Sequence, residues 1–170
     1  MPESPSNTDK KSAALRTLQE LPRQIERMHR RFLDVVRLEL GKAGVKDLSP
    51  VQVMMLGNIG DEEISVRDLI ERGYYLGSNA SYNLKQLVEG GYVERQAAAH
   101  DRRSARLKIT NKGKGVLAKL NALEVQWAEP LIRAGEESAI DSTFKILRKL
   151  ERCWSDAVRY AVVDDNKEDF

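Results

Sequence analysis

The chain has 170 residues, with 28 Lys and Arg against 26 Asp and Glu and a formal net charge of +2, which suits one ordinary domain or a small domain with helical appendages. A hydrophobic fraction of 41% with 6% aromatic residues excludes a wholly disordered chain and fits a helix-rich soluble one. No run of about 18 apolar residues offers a membrane span, and the opening MPESPSNTDKK lacks the basic-then-apolar order of a secretory signal, so a cytoplasmic location and no membrane partner are expected.

Residues 1–11 hold two prolines and no apolar period, which predicts a disordered tail. A first helix is predicted over 12–46, with Pro22 as a start or kink and with Leu21, Ile25, Met28, Phe32, Val35 and Val36 on one wide face. Ser49-Pro50 opens a short second helix carrying Val51, Met54, Met55 and Ile59 at helical spacing, closed by Gly60. Ser65 caps a third, with Leu69 and Ile70 apolar and Gly73 as its stop; Ile64 before it suits a one- or two-residue strand. Gly77-Ser78 starts a fourth, whose buried stripe of Ala80, Leu84, Leu87 and Val88 leaves an outward face of Ser78, Asn79, Tyr82, Lys85 and Gln86, flanked by Ser81 and Asn83.

YVERQ and RLKIT then alternate as two half-buried strands of a hairpin over 92–110, with His100, Asp101, Arg102 and Arg103 in its turn. Thr110 caps a long fifth helix with apolar Val116, Leu120, Leu123 and Trp127, bent or ended by Pro130. A sixth runs from about Ser138 to Val163, and its apolar face is wider than one packing partner covers. The helices of 111–163 and an acidic tail at 164–170 complete a mainly α chain with a small β-hairpin.

Charge is uneven along this order. Residues 10–46 carry +6, residues 47–90 carry −4 and residues 91–115 carry +5, as counted from the sequence. A net +2 argues against a polyanionic partner, since phosphate neutralisation needs clustered Lys and Arg, but the segments supply such clusters. Two short helices followed by a hairpin with arginines at its tip describe a winged helix-turn-helix spanning 47–110. Its second helix, 78–90, fits a DNA major groove about 12 Å wide. Asn79, Asn83 and Gln86 offer paired donor and acceptor groups for adenine, Ser78 and Ser81 suit phosphates, Tyr82 suits a thymine methyl or a phosphate, and Lys85 suits phosphate or guanine. Arg102 and Arg103 suit a narrow minor groove, with Asp101 pairing with and orienting Arg103. The bland alternative for the same residues is a solvated helix face and turn, and the same fold can serve as a protein-interaction module without sequence-specific DNA binding.

The stretch Asp101-Arg102-Arg103-Ser104-Ala105-Arg106-Leu107-Lys108-Ile109-Thr110 resembles the wing signature of the MarR family of bacterial regulators, an Asp-x-Arg followed by Leu-x-Leu/Ile-Thr. Gly90-Gly91-Tyr92-Val93-Glu94-Arg95 and Thr110-Asn111-Lys112-Gly113 fit the same pattern, and the resemblance covers roughly 20–160 in element order. It implies a homodimer with interlocked first, fifth and sixth helices, probing a pseudo-palindromic operator on double-stranded DNA, usually as a repressor. It also implies a small aromatic or phenolic effector. GYYLGSNASYNLKQLVEGGYV looks most like the LdtR-type subgroup, implying cell-wall or stress genes, although Tyr74-Tyr75 stands where many members have a plain Leu-Gly.

No nucleophile motif or glycine-rich phosphate loop is present, so an enzyme is not expected, and neither is a cofactor. Cys153, as the single cysteine, excludes an intrachain disulfide and a CxxC zinc site. It reads as a small hydrophobe, and His29 as a buried interface histidine with no metal-ligand neighbour at suitable spacing.

Overall fold

The computed structural model describes residues 7–97 and 105–165. Six helices and three short strands follow in the order α1 (Asn7–Lys42), α2 (Pro50–Ile59), β1 (Ile64–Ser65), α3 (Val66–Gly73), α4 (Gly77–Glu89), β2 (Val93–Ala97), β3 (Ala105–Ile109), α5 (Asn111–Arg133) and α6 (Glu137–Asp165). The chain divides into two compact units, Met1–Asn121 and Ala122–Phe170.

Local signals in the sequence set most of these boundaries. Ser49 caps α2 reciprocally: its hydroxyl accepts from the Gln52 N–H at 3.3 Å, and the Gln52 carboxamide oxygen accepts from the Ser49 N–H at 2.8 Å. This accounts for the burial of a polar Gln52 beside Pro50 and Val53. Ser65 caps α3 by accepting from the Asp68 N–H at 3.0 Å. Thr110 caps α5 by accepting from the Gly113 N–H at 3.2 Å, while its own hydroxyl donates to the Gly91 carbonyl at 2.8 Å.

The core of the first unit gathers on α2. That helix packs against α1, α3, α4 and β3, so Val53, Met55, Leu56 and Ile59 are all buried with Val36 and Leu40 of α1, Leu69 of α3 and Leu84 and Leu87 of α4. The expected single face of Val51, Met54, Met55 and Ile59 is therefore corrected: Val51 is exposed, and Val53 and Leu56 are buried. A helix surrounded on several sides has no single apolar stripe to read. Antiparallel β2 and β3 pair from Val93 with Ile109 to Ala97 with Ala105, and β1 adds to the far edge of β3 through Ile64 with Leu107. Val93, Leu107 and Ile109 point into the core, while Glu94, Arg106 and Lys108 stay exposed.

Several other boundaries differ from expectation. α1 begins at Asn7, so residues 7–11 are helical where a tail through residue 11 was expected; Asp9 in the first turn complements the helix dipole, and Lys10 and Lys11 are good helix formers. Pro22 and Pro130 both lie inside continuous helices. α4 starts one residue early at Gly77 and ends at Glu89, with Gly90 as its cap. α6 continues to Asp165, two residues into the expected acidic tail. His29 and Cys153 are exposed in the protomer, contrary to the buried reading of each.

The start of α5 lies so close to the sheet that one glycine becomes obligatory. A Cβ on Gly113 would stand 2.6 Å from both Ile109 Cγ2 and the Tyr92 carbonyl oxygen, whereas a Cβ on Gly115 would meet nothing within 4 Å. Gly115→Ala should raise stability by up to about 1 kcal/mol through helix propensity. Gly113→Ala should lower it by about 1–3 kcal/mol, because overpacking outweighs that same propensity gain. Urea denaturation of the two variants reads the opposite signs; a shared sign would show that the α5–sheet junction yields.

Candidate nucleic-acid interface

The outward face of α4 is the most concentrated set of uncommitted polar groups in the first unit. Ala80, Leu84 and Leu87 bury the inner side. Ser78, Asn79, Ser81, Tyr82, Lys85 and Gln86 are exposed, and Asn83 is half-buried at the edge. Several of these groups are held internally. The Ser81 hydroxyl donates to the Gly77 carbonyl at 2.8 Å, and the Asn83 amide donates to the Asn79 carbonyl at 2.9 Å. Glu89 gathers the Gln86 amide at 3.3 Å and the Lys85 ammonium at 3.7 Å. The side chains of Ser78, Asn79 and Tyr82 make no hydrogen bond among the described residues, which leaves their full capacity for an outside partner. At the start of the helix, Leu76 is the cap and offers no side-chain acceptor, so the first amide N–H groups of α4 face outward unpaired by a cap.

The turn that delivers α4 is tied to α2. The Asn58 amide donates to the Tyr75 hydroxyl at 2.7 Å, and the Arg72 guanidinium donates to the Asn58 carbonyl at 2.9 Å. A Cβ on Gly73 would overlap the Tyr75 ring. Tyr75, expected to lie in the core or an interface, is thus a half-buried strut between helices.

Around the hairpin, the acidic segment has a specific role. Lys108 pairs with Glu63 at 3.4 Å, Lys112 with Asp47 at 3.3 Å and Lys114 with Asp61 at 3.5 Å. Three lysines of the second basic cluster are thereby answered by carboxylates from residues 47–63. Arg95 and Arg106, exposed on β2 and β3, form no ion pair among the described residues. Neither was singled out from sequence, although strand alternation places Arg106 outward. Asp101, Arg102 and Arg103 lie outside the described residues. On α1 the acidic residues Glu20, Glu26, Asp34 and Glu39 each pair with a basic neighbour one turn away, so the excess of that segment remains on a solvated face.

Behind the interface stands Tyr92, with only 2% of its surface exposed. Its hydroxyl donates to Asp47 at 2.7 Å, and the Lys112 ammonium lies 3.9 Å from its ring centroid while donating to the Gly90 carbonyl at 2.8 Å. The Tyr92 hydrogen bond is the leading cause that holds the Asp47 carboxyl below the usual range, with Lys112 adding to it. Burial, then the bond to Asp47, pushes Tyr92 up. Lys112 is raised chiefly by Tyr92 and also by Asp47. Among the described residues no cluster of three His, Cys, Asp or Glu could hold a metal, and no helix is long and apolar enough to cross a membrane.

With this geometry in place, the chain can be set beside known proteins. A family model described as the MarR family matches residues 46–104. The chain is 41% identical over 150 residues to the exopolysaccharide II synthesis transcriptional activator ExpG of Rhizobium meliloti (strain 1021), across 88% of this chain and 77% of that protein. Its fold is similar to Streptococcus pneumoniae FabT, solved in complex with DNA, with a TM-score of 0.67 and 21% identity over 82% of this chain and 98% of that one. The regulator BldR from Sulfolobus solfataricus matches with a TM-score of 0.62 and 24% identity, over 85% and 99% of the two chains.

The Asp47–Tyr92–Lys112 group generates a pH-dependent prediction. The lowered Asp47 contributes stability above the ordinary carboxylate range and loses it as pH falls through its folded pKa. The raised Tyr92 and Lys112 contribute below their ordinary ranges and lose it as pH rises through theirs. Tyr92→Phe should therefore cost about 1 kcal/mol near neutrality, a modest figure because Asp47 is largely exposed. The difference from wild type should shrink in both acid and alkali, as read by thermal unfolding across pH. A constant difference would remove the hydrogen bond as its source.

Proposed function

The chain belongs to the MarR family of transcriptional regulators, and from that membership we propose that it acts as a cytoplasmic homodimer that binds a pseudo-palindromic DNA operator through α4 and the hairpin wing. One observation carries the reading: the outward face of α4 keeps Ser78, Asn79 and Tyr82 uncommitted, next to a wing whose arginines are left over after its lysines have paired. In the major groove, Asn79, with Asn83 and Gln86 once released from their internal partners, would supply amide pairs to base edges. Ser78, Ser81, Tyr82 and Lys85 would fix the backbone, helped by the uncapped start of α4. Arg102 and Arg103, the latter oriented by Asp101, would enter the minor groove, with Arg95 and Arg106 behind them adding to the local positive potential.

The dimer is supported by apolar surface that the protomer leaves in water. Met28 and Leu38 on α1, and Phe144, Trp154, Val158 and Tyr160 on α6, are each more than two-fifths exposed. A second copy is the simplest cover for such faces. A small aromatic or phenolic effector belongs to this reading through the family resemblance. On the sign of regulation, repression was the expectation, but the relative at 41% identity is named an activator of exopolysaccharide II synthesis. That favours activation as a second reading, with cell-surface polysaccharide genes beside the cell-wall and stress genes that the LdtR-like turn suggests.

Selection of bound duplexes from a random pool tests the core of the proposal: it should return two half-sites related by a dyad. No enrichment, with no retention on DNA at low salt, would favour the protein-interaction module instead. In gel-shift titrations against the selected duplex, Arg103→Ala should weaken binding and reduce the salt slope by about 0.9 per protomer. Asn79→Ala should cost about 1–3 kcal/mol at one base position and leave that slope unchanged. Light scattering at micromolar concentration should give a dimer; a stable monomer would sink the assembly.

A further inference from the structure

Four helix ends in this chain close on the same pair of backbone hydrogen bonds, wrapped around one residue in the left-handed region. At three of them that residue is glycine: Gly44, Gly91 and Gly135, with φ of 72°, 71° and 76°. At the fourth, the end of α3, the Tyr74 N–H bonds the Glu71 carbonyl at 3.4 Å and the Tyr75 N–H bonds the Ile70 carbonyl at 3.1 Å. The residue in the left-handed region there is Tyr74, at φ 50° and ψ 36°. It is the one non-glycine with positive φ among the described residues. A bulky side chain is disfavoured in that region, and glycine would close the turn without the steric cost. The backbone therefore gives no reason for tyrosine at this place, and strain of this kind is retained where the side chain has a use.

Two further observations indicate the use. Tyr74 is 68% exposed, and the turn that presents it is fixed from beneath, by Tyr75 lying over Gly73 and bonded to Asn58 and by Arg72 bonded to the Asn58 carbonyl. Its direction is set by packing on α2. α4 begins three residues later at Gly77, so the Tyr74 Cα lies within about 11 Å of the helix start, a reach comparable to the width of the groove that α4 would occupy. We propose that Tyr74 is a DNA-contact residue, whose hydroxyl donates a hydrogen bond to a backbone phosphate at the edge of that groove. The assignment rests on the DNA-binding reading of α4 given above. It adds a neutral contact, which strengthens positioning without adding to counterion release.

The test uses the full-length protein and the duplex that it selects from a random pool. Tyr74→Gly relieves the backbone and removes the side chain; Tyr74→Phe keeps the backbone and ring and removes only the hydroxyl. Both should weaken binding about tenfold, the scale of one hydrogen bond to a charged group, with the salt slope unchanged. Tyr74→Gly should have a Tm at or above that of wild type, the opposite of what loss of a structural residue gives. A scan of single methylphosphonate substitutions along the duplex should find one position per half-site at which wild type and Tyr74→Phe bind equally. Full affinity in Tyr74→Phe, or a methylphosphonate scan with no such position, overturns the proposal while leaving the DNA-binding reading standing. A wild-type chain that selects no duplex overturns both.

Discussion

The structure of the first unit turns on the enclosure of one aromatic ring, that of Tyr92. It sits where α4 has ended and β2 begins, and every later element is placed against it. Its N–H bonds the Leu87 carbonyl at 2.9 Å, closing α4, and its carbonyl accepts from the Thr110 N–H at 3.0 Å, closing the hairpin. Its hydroxyl reaches Asp47 in the segment before α2, and Lys112 of α5 covers its ring. Two glycines make room for it: a Cβ at Gly90 would press on the ring at 3.0 Å, and one at Gly113 would strike its carbonyl. Thus one buried side chain and its backbone fix the spacing between the end of α4, the base of the wing and the start of α5. Any DNA-facing group on α4 or on the wing inherits its position from that spacing.

Much of this arrangement was legible because short-range chemistry dictates it. Ser49-Pro50, Ser65 and Thr110 announce helix starts through hydroxyls that accept from N–H groups two or three residues on, and they do so in the structure. The inner stripe of α4 and the alternation of β3 follow from a helix and a strand that each have one buried side. α2 was misread for the converse reason: elements from distant parts of the chain enclose it, and no local period records where they fall. Tyr74 was noticed only as an unusual residue in the turn. Its left-handed backbone depends on the pair of bonds back into α3, and a left-handed tyrosine has no signature in sequence, since glycine or asparagine is the residue that turn chemistry leads one to seek. Arg95 and Arg106 became notable only once the lysines beside them were seen to be paired.

That pairing changes the meaning of the net charge. Read along the chain, an acidic segment at 47–90 between two basic ones suggests a surface at odds with a phosphate backbone. Folded, Asp47, Asp61 and Glu63 lie against Lys112, Lys114 and Lys108. Exposed pairs of this type contribute little to stability, but they remove three ammonium groups from the field. What remains outward is guanidinium, which is planar, weakly hydrated and better suited than ammonium to a narrow groove or a bidentate phosphate contact. A protein built this way would hold non-specific DNA weakly and depend on a few directed contacts, so the uncharged outer face of α4 carries a larger share of discrimination than of affinity.

The second unit adds a constraint of a different kind. α6 is amphipathic, yet none of its residues with described side chains is buried in the protomer. A 29-residue helix in that condition gains its stability from propensity and i, i+4 pairs such as Lys145–Asp141 alone, until its apolar face is covered. On the proposed dimer, ordering of this helix and association of two chains become one linked equilibrium, in which stability grows with protomer concentration. Two wings and two α4 helices are then presented together or not at all. Because a single half-site engages few cations, the monomer would have little hold on DNA, and occupancy of an operator would rise steeply over the concentration range in which the apolar faces first find each other.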